Sequence, residues 1–286
     1  MQNTISSPSS PSVEITGAAA PGFTAERRLP SRVLGVWAHP DDEAYLSAGL
    51  MAEVIAQGGR VTVLALTDGE LGFDDDDDRG LEGRSILRRA ELREAMATIG
   101  VTDVRFVGAP DGFLGRIDAG MVAASIVPVM TEVRPELTVT FGPDGITGHE
   151  DHVASGLATT AAWIETGIGE LRYAAKTVGW LDEWRSFHDE VGAWMTDEPT
   201  GVDPDDLDLV VGLSGDALIQ KRRVLSHHAS QTEAIAEMMG EVDYRRWIAE
   251  EGFRSPTQSE LERAVVSAEW GGPWTPKTCR PGVVRV

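Results

Sequence analysis

A short apolar run that ends in a cluster of polar residues limits the fold of this chain more than any other feature. Residues 33–38 are apolar or glycine, and an unbroken run of about six such residues is typical of a strand buried in a parallel sheet. Pro40 ends this strand because proline has no N–H to donate to a neighbouring strand. We therefore expect His39, Asp41 and Asp42 at the carboxyl end of a strand, where open α/β sheets bind their ligands.

A second apolar run, residues 137–141, is followed after a turn by Gly-His-Glu-Asp-His at residues 148–152. Imidazole and carboxylate groups bind zinc, and a catalytic zinc site has three protein ligands. Either motif alone is equally well explained by a buried His–Asp pair or by an acidic residue that caps a helix. Two such motifs, each following a core-like strand, favour a metal site.

The pattern of strands and helices predicts an α/β fold: a Rossmann-like, doubly wound, mostly parallel sheet with helices on both faces and a C-terminal elaboration. The predicted strands span residues 33–38, 61–67, 104–107 and 137–141, with amphipathic helices between them. In the common strand order, third-second-first-fourth, the first and fourth strands are neighbours. The two polar motifs would then meet in one crevice.

The domain organisation follows from composition. Residues 1–28 are rich in Ser, Pro, Gly and Ala, which predicts a disordered or loosely attached tail. Residues 29–286 are expected to form one domain, with a core over about 33–170 and an elaboration over about 171–286. Seven of the eight Trp lie beyond residue 160. We expect them to pack the C-terminal part, and lining a sugar pocket is the alternative.

Charge and cysteine content exclude several classes of partner. The formal net charge is −21, which argues against binding to nucleic acid or to an anionic membrane surface. Cys279 is the single cysteine, so we expect neither an internal disulfide nor a Cys-rich zinc site, and we expect a cytoplasmic protein. No apolar run approaches the ~20 residues of a membrane span, and no secretory signal is expected. A homo-oligomer stays open.

The two polar motifs, Ala-His-Pro-Asp-Asp-Glu at 38–43 and Gly-His-Glu-Asp-His at 148–152, resemble those of a known family. The LmbE-like (PIG-L) zinc-dependent N-deacetylases include the deacetylases and amidases of mycothiol and bacillithiol metabolism. Weaker matches lie at residues 67–70, 88–91, 110–112 and 228–231. The resemblance therefore extends from residue 33 to about residue 231.

The resemblance implies a set of metal ligands and a base. The zinc ligands would be His39, Asp42 and His152, and Fe²⁺ can satisfy the same donors. Bound zinc lowers the pKa of its water towards ~7 and polarises a carbonyl group. Asp41 would be the general base that activates the attacking water. We expect Glu43 only to compensate the helix dipole.

The resemblance also implies further catalytic and substrate-binding residues. His149 would stabilise the oxyanion or protonate the leaving amine, and Asp151 would orient His149; capping of the following helix is an alternative role for Asp151. The candidate substrate contacts are Glu70, Arg88, Asp111 and His228. Some relatives have Tyr where this chain has Thr147, so either another donor serves the oxyanion or the substrate differs.

Three functional hypotheses follow. The first is a zinc-dependent N-deacetylase that acts on the N-acetylglucosamine-type group of a small glycoconjugate. The second is an amidase that cleaves a larger N-acyl or thiol S-conjugate substrate. The third is a non-catalytic module that binds a sugar or a nucleotide, which the lack of a Gly-x-Gly-x-x-Gly turn after the first strand disfavours.

Overall fold

Within residues 13–16, 29–196 and 200–269, which a computed structural model of the protein describes, eight strands alternate with nine helices. The strands are β1 (Val13–Thr16), β2 (Arg32–Trp37), β3 (Arg60–Thr67), β4 (Asp103–Ala109), β5 (Leu137–Phe141), β6 (Glu170–Ala175), β7 (Leu209–Leu213) and β8 (Glu250–Arg254). The helices are α1 (Asp42–Ala56), α2 (Gly80–Thr98), α3 (Ala119–Val133), α4 (Glu150–Thr166), α5 (Val178–Val191), α6 (Gly215–His227), α7 (Ala229–Met239), α8 (Glu241–Trp247) and α9 (Gln258–Glu269). Among the described residues, no helix is long and apolar enough to cross a membrane.

All eight strands belong to one sheet, in the order β1-β7-β8-β6-β5-β2-β3-β4. Within this order, the five neighbouring strands β6, β5, β2, β3 and β4 are parallel to one another. β8 is antiparallel to both β6 and β7, and β1 is antiparallel to β7. The predicted order of the first four core strands is confirmed, because β4, β3, β2 and β5 are consecutive neighbours in the sheet.

Helices cover both faces of the sheet. Successive strand residues point to opposite faces, and in β2 both members of the neighbouring pairs Val33–Leu34 and Val36–Trp37 are fully buried. α1 packs beside α6, which packs beside α2, while α3 and α9 both pack against α4. Right-handed crossovers on either side of β2 place these two layers on opposite faces. The predicted doubly wound α/β fold is confirmed.

The N-terminal residues differ in part from the prediction. The sequence predicts a loosely attached tail over residues 1–28, but residues 13–16 form β1, in which Val13 and Ile15 pair with Leu213 and Val211 of β7. Both apolar side chains are partly buried against the core, which explains why this segment pairs with the sheet. The other residues up to 28, and Cys279, lie outside the described residues.

A buried ion pair ties β8 to α1. The Lys221 Nζ atom lies 2.8 Å from the Glu251 carboxylate, and the two side chains are 1% and 0% exposed. The same carboxylate accepts hydrogen bonds from the backbone N–H groups of Gly49 (2.7 Å) and Leu50 (2.9 Å) in α1, and Lys221 donates to the Tyr45 carbonyl. Two adjacent acidic residues begin β8, which hid this strand in the sequence.

We expect Lys221→Met to lower the free energy of unfolding by about 3–5 kcal/mol, because it leaves the buried Glu251 carboxylate without its cation. Urea denaturation measures this change. The matched control is Arg185→Met, which removes the exposed ion pair with Asp182 and should cost less than about 1 kcal/mol. Equal effects of the two substitutions would contradict a structural role for the buried pair.

Candidate metal centre and cavity

The carboxyl ends of β2 and β5 bring the two polar motifs together. β2 pairs with β3 on one side and with β5 on the other, so a crevice opens beyond the strand ends where the order reverses. His39 follows β2, and His152 lies in the first turn of α4 after β5. The His39 Nδ1 atom is 3.2 Å from the His152 Nε2 atom. The expected meeting of the two motifs is confirmed.

Asp42 supplies a third donor at the same point. Its Oδ2 atom accepts a hydrogen bond of 2.8 Å from the His39 backbone N–H, which fixes the carboxylate at the start of α1. One oxygen lies 3.6 Å from His39 Nδ1 and the other 3.4 Å from His152 Nε2. Ligand atoms bound tetrahedrally to zinc at ~2.0–2.2 Å are about 3.3 Å apart. The two Asp42 distances involve different oxygens of its carboxylate. The three side chains therefore form a candidate site for a metal ion.

The other nitrogen of each imidazole faces an oxygen atom: His39 Nε2 makes close carboxylate contacts that lack hydrogen-bond geometry, whereas His152 Nδ1 contacts a carbonyl. His39 Nε2 lies 3.1 Å from Asp111 and 3.4 Å from Asp151, both through carboxylate oxygens. His152 Nδ1 lies 3.1 Å from the carbonyl oxygen of Gly145, so this nitrogen donates and Nε2 keeps its lone pair. Metal-binding histidines usually donate their second N–H to a carboxylate or a carbonyl.

Two other sets of three donors share His39. His39, His149 and His152 form one set, and His39, Asp111 and Asp151 form the other; each set lies within 4.8 Å. His149 Nδ1 accepts a hydrogen bond of 3.0 Å from the Asp151 backbone N–H and caps α4. The neutral His149 ring therefore carries its proton on Nε2, which makes this atom a hydrogen-bond donor rather than a metal ligand.

Burial and neighbouring charges favour a positive charge where the donors meet. Burial raises the pKa of the Asp42 carboxyl to about 8, although His39 opposes this shift. Burial lowers the pKa of His39, but the Asp111 and Asp151 carboxylates beside Nε2, together with the charge of Asp42, outweigh burial and raise the pKa to about 10. A divalent cation would supply positive charge at the same point while its ligands are deprotonated.

The imidazoles of His149 and His152 are held neutral. Burial, reinforced by the charge on His39, lowers the pKa of His149 to about 4. The same two causes, in the same order, hold the pKa of His152 well below its usual value. A neutral imidazole is the form that binds a metal ion.

Asp41 occupies a strained position beside the three donors. Its φ angle is 125°, a value that residues with a Cβ atom rarely adopt outside functional sites. Arg88, 3% exposed, approaches the Asp41 carboxylate to 3.2 Å and also donates to the carbonyls of Pro40 and Gly69. Gly69 has a φ of 66°, and a Cβ atom there would lie 2.1 Å from the Arg88 guanidinium. Burial raises the pKa of Asp41, and Arg88 opposes this shift.

A cavity of about 570 Å³ opens over the donors, within the size range of small-molecule sites. The polar residues that line it include His39, Asp41, Asp42, His149 and His152. Besides Phe141 at the end of β5, five further aromatic side chains line it, and we call these five the aromatic wall: Tyr45, Trp180, His188, Trp194 and Trp247. Three of the C-terminal tryptophans therefore face a cavity, which differs from the expectation that they only pack the C-terminal part.

Comparison with known proteins identifies the family. The family model of PIG-L, described as GlcNAc-PI de-N-acetylase, matches residues 34–163. A 1D-myo-inositol 2-acetamido-2-deoxy-alpha-D-glucopyranoside deacetylase from Mycobacterium sp. (strain KMS) is 30% identical over 250 residues, which are 73% of this chain and 76% of that protein. The chain belongs to the PIG-L family.

Other similarities are partial or concern the fold. A deacetylase of the same name from Streptomyces scabiei (strain 87.22) is 36% identical over 171 residues, which are 48% of this chain and 51% of that protein. In this match and in several like it, the chain spans about half the length of the curated relative. The fold is similar to that of N,N'-diacetylchitobiose deacetylase from Pyrococcus horikoshii, with a TM-score of 0.59 and 18% identity over 79% of this chain and 83% of that one.

The PIG-L motif residue Asp151 makes contacts that differ from the prediction. Its carboxylate accepts hydrogen bonds from the backbone N–H groups of Gly112 (2.7 Å) and Leu114 (2.9 Å) and approaches His39 Nε2. The predicted orienting bond to the His149 side chain is instead made by the Asp151 backbone. Asp151 is fully buried, so its carboxylate needs the two backbone N–H donors and the nearby His39 ring that this arrangement provides.

Glu70 and Asp111 are predicted substrate contacts of the PIG-L pattern, but both form hydrogen bonds that stabilise the loop after β4. Glu70 accepts a hydrogen bond of 3.1 Å from the Asp111 backbone N–H, and Glu70 is absent from the described lining of the cavity. Asp111 does line the cavity, but its carboxylate already binds His39 Nε2 and the backbone N–H of Leu71. Hydrogen bonding to these groups, led by His39, outweighs burial and lowers the pKa of Asp111 to about 2.

The predicted substrate contact His228 lies behind the cavity rather than on it. Its side chain and that of Glu43 are fully buried, and His228 Nε2 is 2.7 Å from Glu43 Oε1. The other Glu43 oxygen accepts from the Asp41 backbone N–H at 3.0 Å. The expectation that Glu43 only compensates the helix dipole is therefore wrong, because this pair supports the strained Asp41. The weak family match at residues 228–231 was the sequence feature from which a contact between His228 and the first motif could have been predicted.

We expect purified protein to hold about one metal ion per chain and both His39→Ala and His152→Ala to lose it. Asp111→Asn should weaken zinc binding by about 10- to 100-fold, because it removes a partner of a ligand rather than a ligand. Elemental analysis and competition with a chelator measure these effects. His227→Ala is the control, since His227 lies outside the described cavity lining and pairs with Glu94. Full metal content in both ligand variants would refute the assignment.

Proposed function

We propose that this protein is a zinc-dependent N-deacetylase. It hydrolyses the N-acetyl amide of an N-acetylglucosamine-type group in a small glycoconjugate and releases acetate and a free amine. Its family membership supports the reaction class, and the names of its curated relatives support the class of substrate. The lone Cys279 and the acidic composition agree with a cytoplasmic location and with a substrate that is not nucleic acid.

One observation carries the proposal: His39, Asp42 and His152 converge within 3.2–3.6 Å of one another in a cavity that Asp41 and His149 also line. Amide hydrolysis needs a polarised carbonyl, a deprotonated water and a proton donor for the leaving amine. Candidates for all three line this cavity, which supports the proposal.

His39, Asp42 and His152 would hold the metal ion, and Fe²⁺ is the alternative to zinc because the same donors suit it. When bound, the ion supplies Lewis acidity and an acidic water. Asp111 and the Gly145 carbonyl keep the two imidazoles in the orientation and tautomer that this role requires.

Asp41 is the general base. Its carboxylate lines the cavity, and Arg88 fixes one of its oxygens at 3.2 Å. The Glu43 carboxylate accepts a hydrogen bond from the Asp41 backbone N–H and thereby fixes the backbone of Asp41. A base held in this manner can take a proton from the attacking water and deliver it to the leaving amine without first reorienting.

His149 is the donor to the developing oxyanion. Because its Nδ1 atom caps α4, its Nε2–H is the group left to donate, in a ring whose pKa of about 4 keeps it neutral. Thr147 does not replace the tyrosine of some relatives in this role. Its hydroxyl lies 3.3 Å from His152 Nδ1 and 3.4 Å from the His149 backbone N–H, so it supports the two histidines instead.

We expect Asp41→Asn to lower kcat by about 10²- to 10⁴-fold, because the amide cannot accept the proton from the attacking water. Acetate release from N-acetylglucosamine-inositol and from N,N'-diacetylchitobiose measures the effect, and metal content should stay at the wild-type level. Asp182→Asn is the matched control on an exposed side chain of α5. Unchanged turnover in Asp41→Asn would exclude Asp41 as the base.

A further inference from the structure

The cavity has two unlike sides, and the proposed reaction uses only one of them. The three metal donors, Asp41 and His149 lie at the ends of β2 and β5. The aromatic wall faces the same space and, apart from Tyr45, comes from residues 180–247, outside the region that the family model matches.

The rings of the aromatic wall form one continuous surface. The Trp180 and Trp247 rings are 6.0 Å apart at 23°, and the Tyr45 ring lies 5.3 Å from Trp247. His188 joins Trp180 at 5.0 Å to Trp194 at 4.6 Å. The three tryptophans and Tyr45 are partly exposed, so their faces are available to a ligand.

The polar atoms of Trp180, Trp247 and Tyr45 are bonded within the protein, whereas His188 Nδ1 is buried without a hydrogen-bond partner. Trp180 Nε1 donates to the Trp247 carbonyl, and Trp247 Nε1 donates to His188 Nε2. The Tyr45 hydroxyl is 3.2 Å from the hydroxyl of Tyr244. An indole N–H has a single proton to donate, so Trp180 and Trp247 offer a ligand mainly their π faces.

A hydroxyl-rich group would find few partners there. Lys176, which lines the cavity next to the aromatic wall, lies 4.7 Å over the Trp180 ring and uses one N–H group to donate to the Glu250 carbonyl. A cyclitol or a second sugar on this side would lose water from several hydroxyls without replacing the hydrogen bonds. An aromatic ring would instead gain contact with rings that prefer offset or edge-to-face packing.

We infer that the substrate carries an aromatic substituent that packs on the aromatic wall while its amide lies at the metal donors. This inference rests on the proposed function and narrows its substrate class. The ring can belong to the sugar's aglycone or to the acyl group, since both are attached close to the amide. It is the shared chemistry, a flat apolar ring, that the aromatic wall recognises.

Four substrates separate the two sources of the ring. The parent is the methyl glycoside of N-acetylglucosamine. Its phenyl glycoside places a ring on the aglycone, its N-benzoyl analogue places a ring on the acyl group, and the N-butanoyl analogue tests acyl size without aromaticity. We expect one of the two aromatic compounds to have kcat/KM about three- to tenfold above the parent, mainly through a lower KM. Equal or better hydrolysis of the parent than of both aromatic compounds would overturn the inference, and so would a butanoyl preference that matches the benzoyl one.

Variants of the aromatic wall show whether it is the source of the preference. Trp180→Leu and Trp247→Leu should each reduce the ratio of aromatic to parent kcat/KM towards one. Trp163→Leu is the matched control, because Trp163 lies on α4 and bonds to the Gly169 carbonyl outside the cavity lining; it should keep the ratio. A ratio unchanged in both aromatic-wall variants would overturn the inference.

Binding distinguishes this inference from the proposed function. If wild type hydrolyses none of the four compounds and neither N-acetylglucosamine-inositol nor N,N'-diacetylchitobiose, the proposed function fails, and calorimetry with the four compounds then decides the inference alone. Tighter binding of an aromatic compound to wild type than to Trp247→Leu supports the aromatic wall as a ligand site. Equal binding of all four compounds overturns it.

Discussion

The two nitrogens of the His39 imidazole join three strand ends, and the site depends on both. Nδ1 faces Asp42 after β2 and His152 after β5, while Nε2 faces Asp111 after β4 and Asp151 at the start of α4. A buried ring can serve both sides only if each nitrogen has the partner that its protonation state requires. The metal donors and the loops that support them are therefore parts of one hydrogen-bonded network, and none of its strands can shift alone.

The parallel half of the fold could be predicted from the sequence because its central strands are rich in apolar residues. β2, β3 and β5 are buried on both faces, which leaves a signal in every residue. β8 lacked this signal: it begins with Glu250 and Glu251, and the second is buried only because Lys221, thirty residues earlier in the chain, neutralises it. The residues around β8 give no indication that Lys221 is its ion-pair partner. A strand stabilised by a distant ion pair therefore cannot be predicted from its local sequence pattern.

The residues of the candidate site likewise divide into those that the sequence could predict and those that it could not. His39, Asp42 and His152 could be identified because each follows a strand end in a compact motif, and the structure brings them together. The contacts of Asp151 could not be predicted, since the choice between a side-chain and a backbone bond to His149 depends on the loop after β4. The aromatic wall left only the concentration of Trp beyond residue 160 as a signal, and this could not show which rings line the cavity, because they are spread over two hundred residues and share no period.

The position of β8 has a consequence for how the chain can assemble. β7 is held in the sheet by β8, and β1 is held by β7. The strand nearest the N-terminus therefore cannot join the sheet until residue 254 is available, although it is synthesised first. Pairings between such remote segments are slow because a long loop must close before they form. Until then β6 is an unpaired edge strand of the sheet in the growing chain. The described sheet is complete only when β8, β7 and β1 have all joined it.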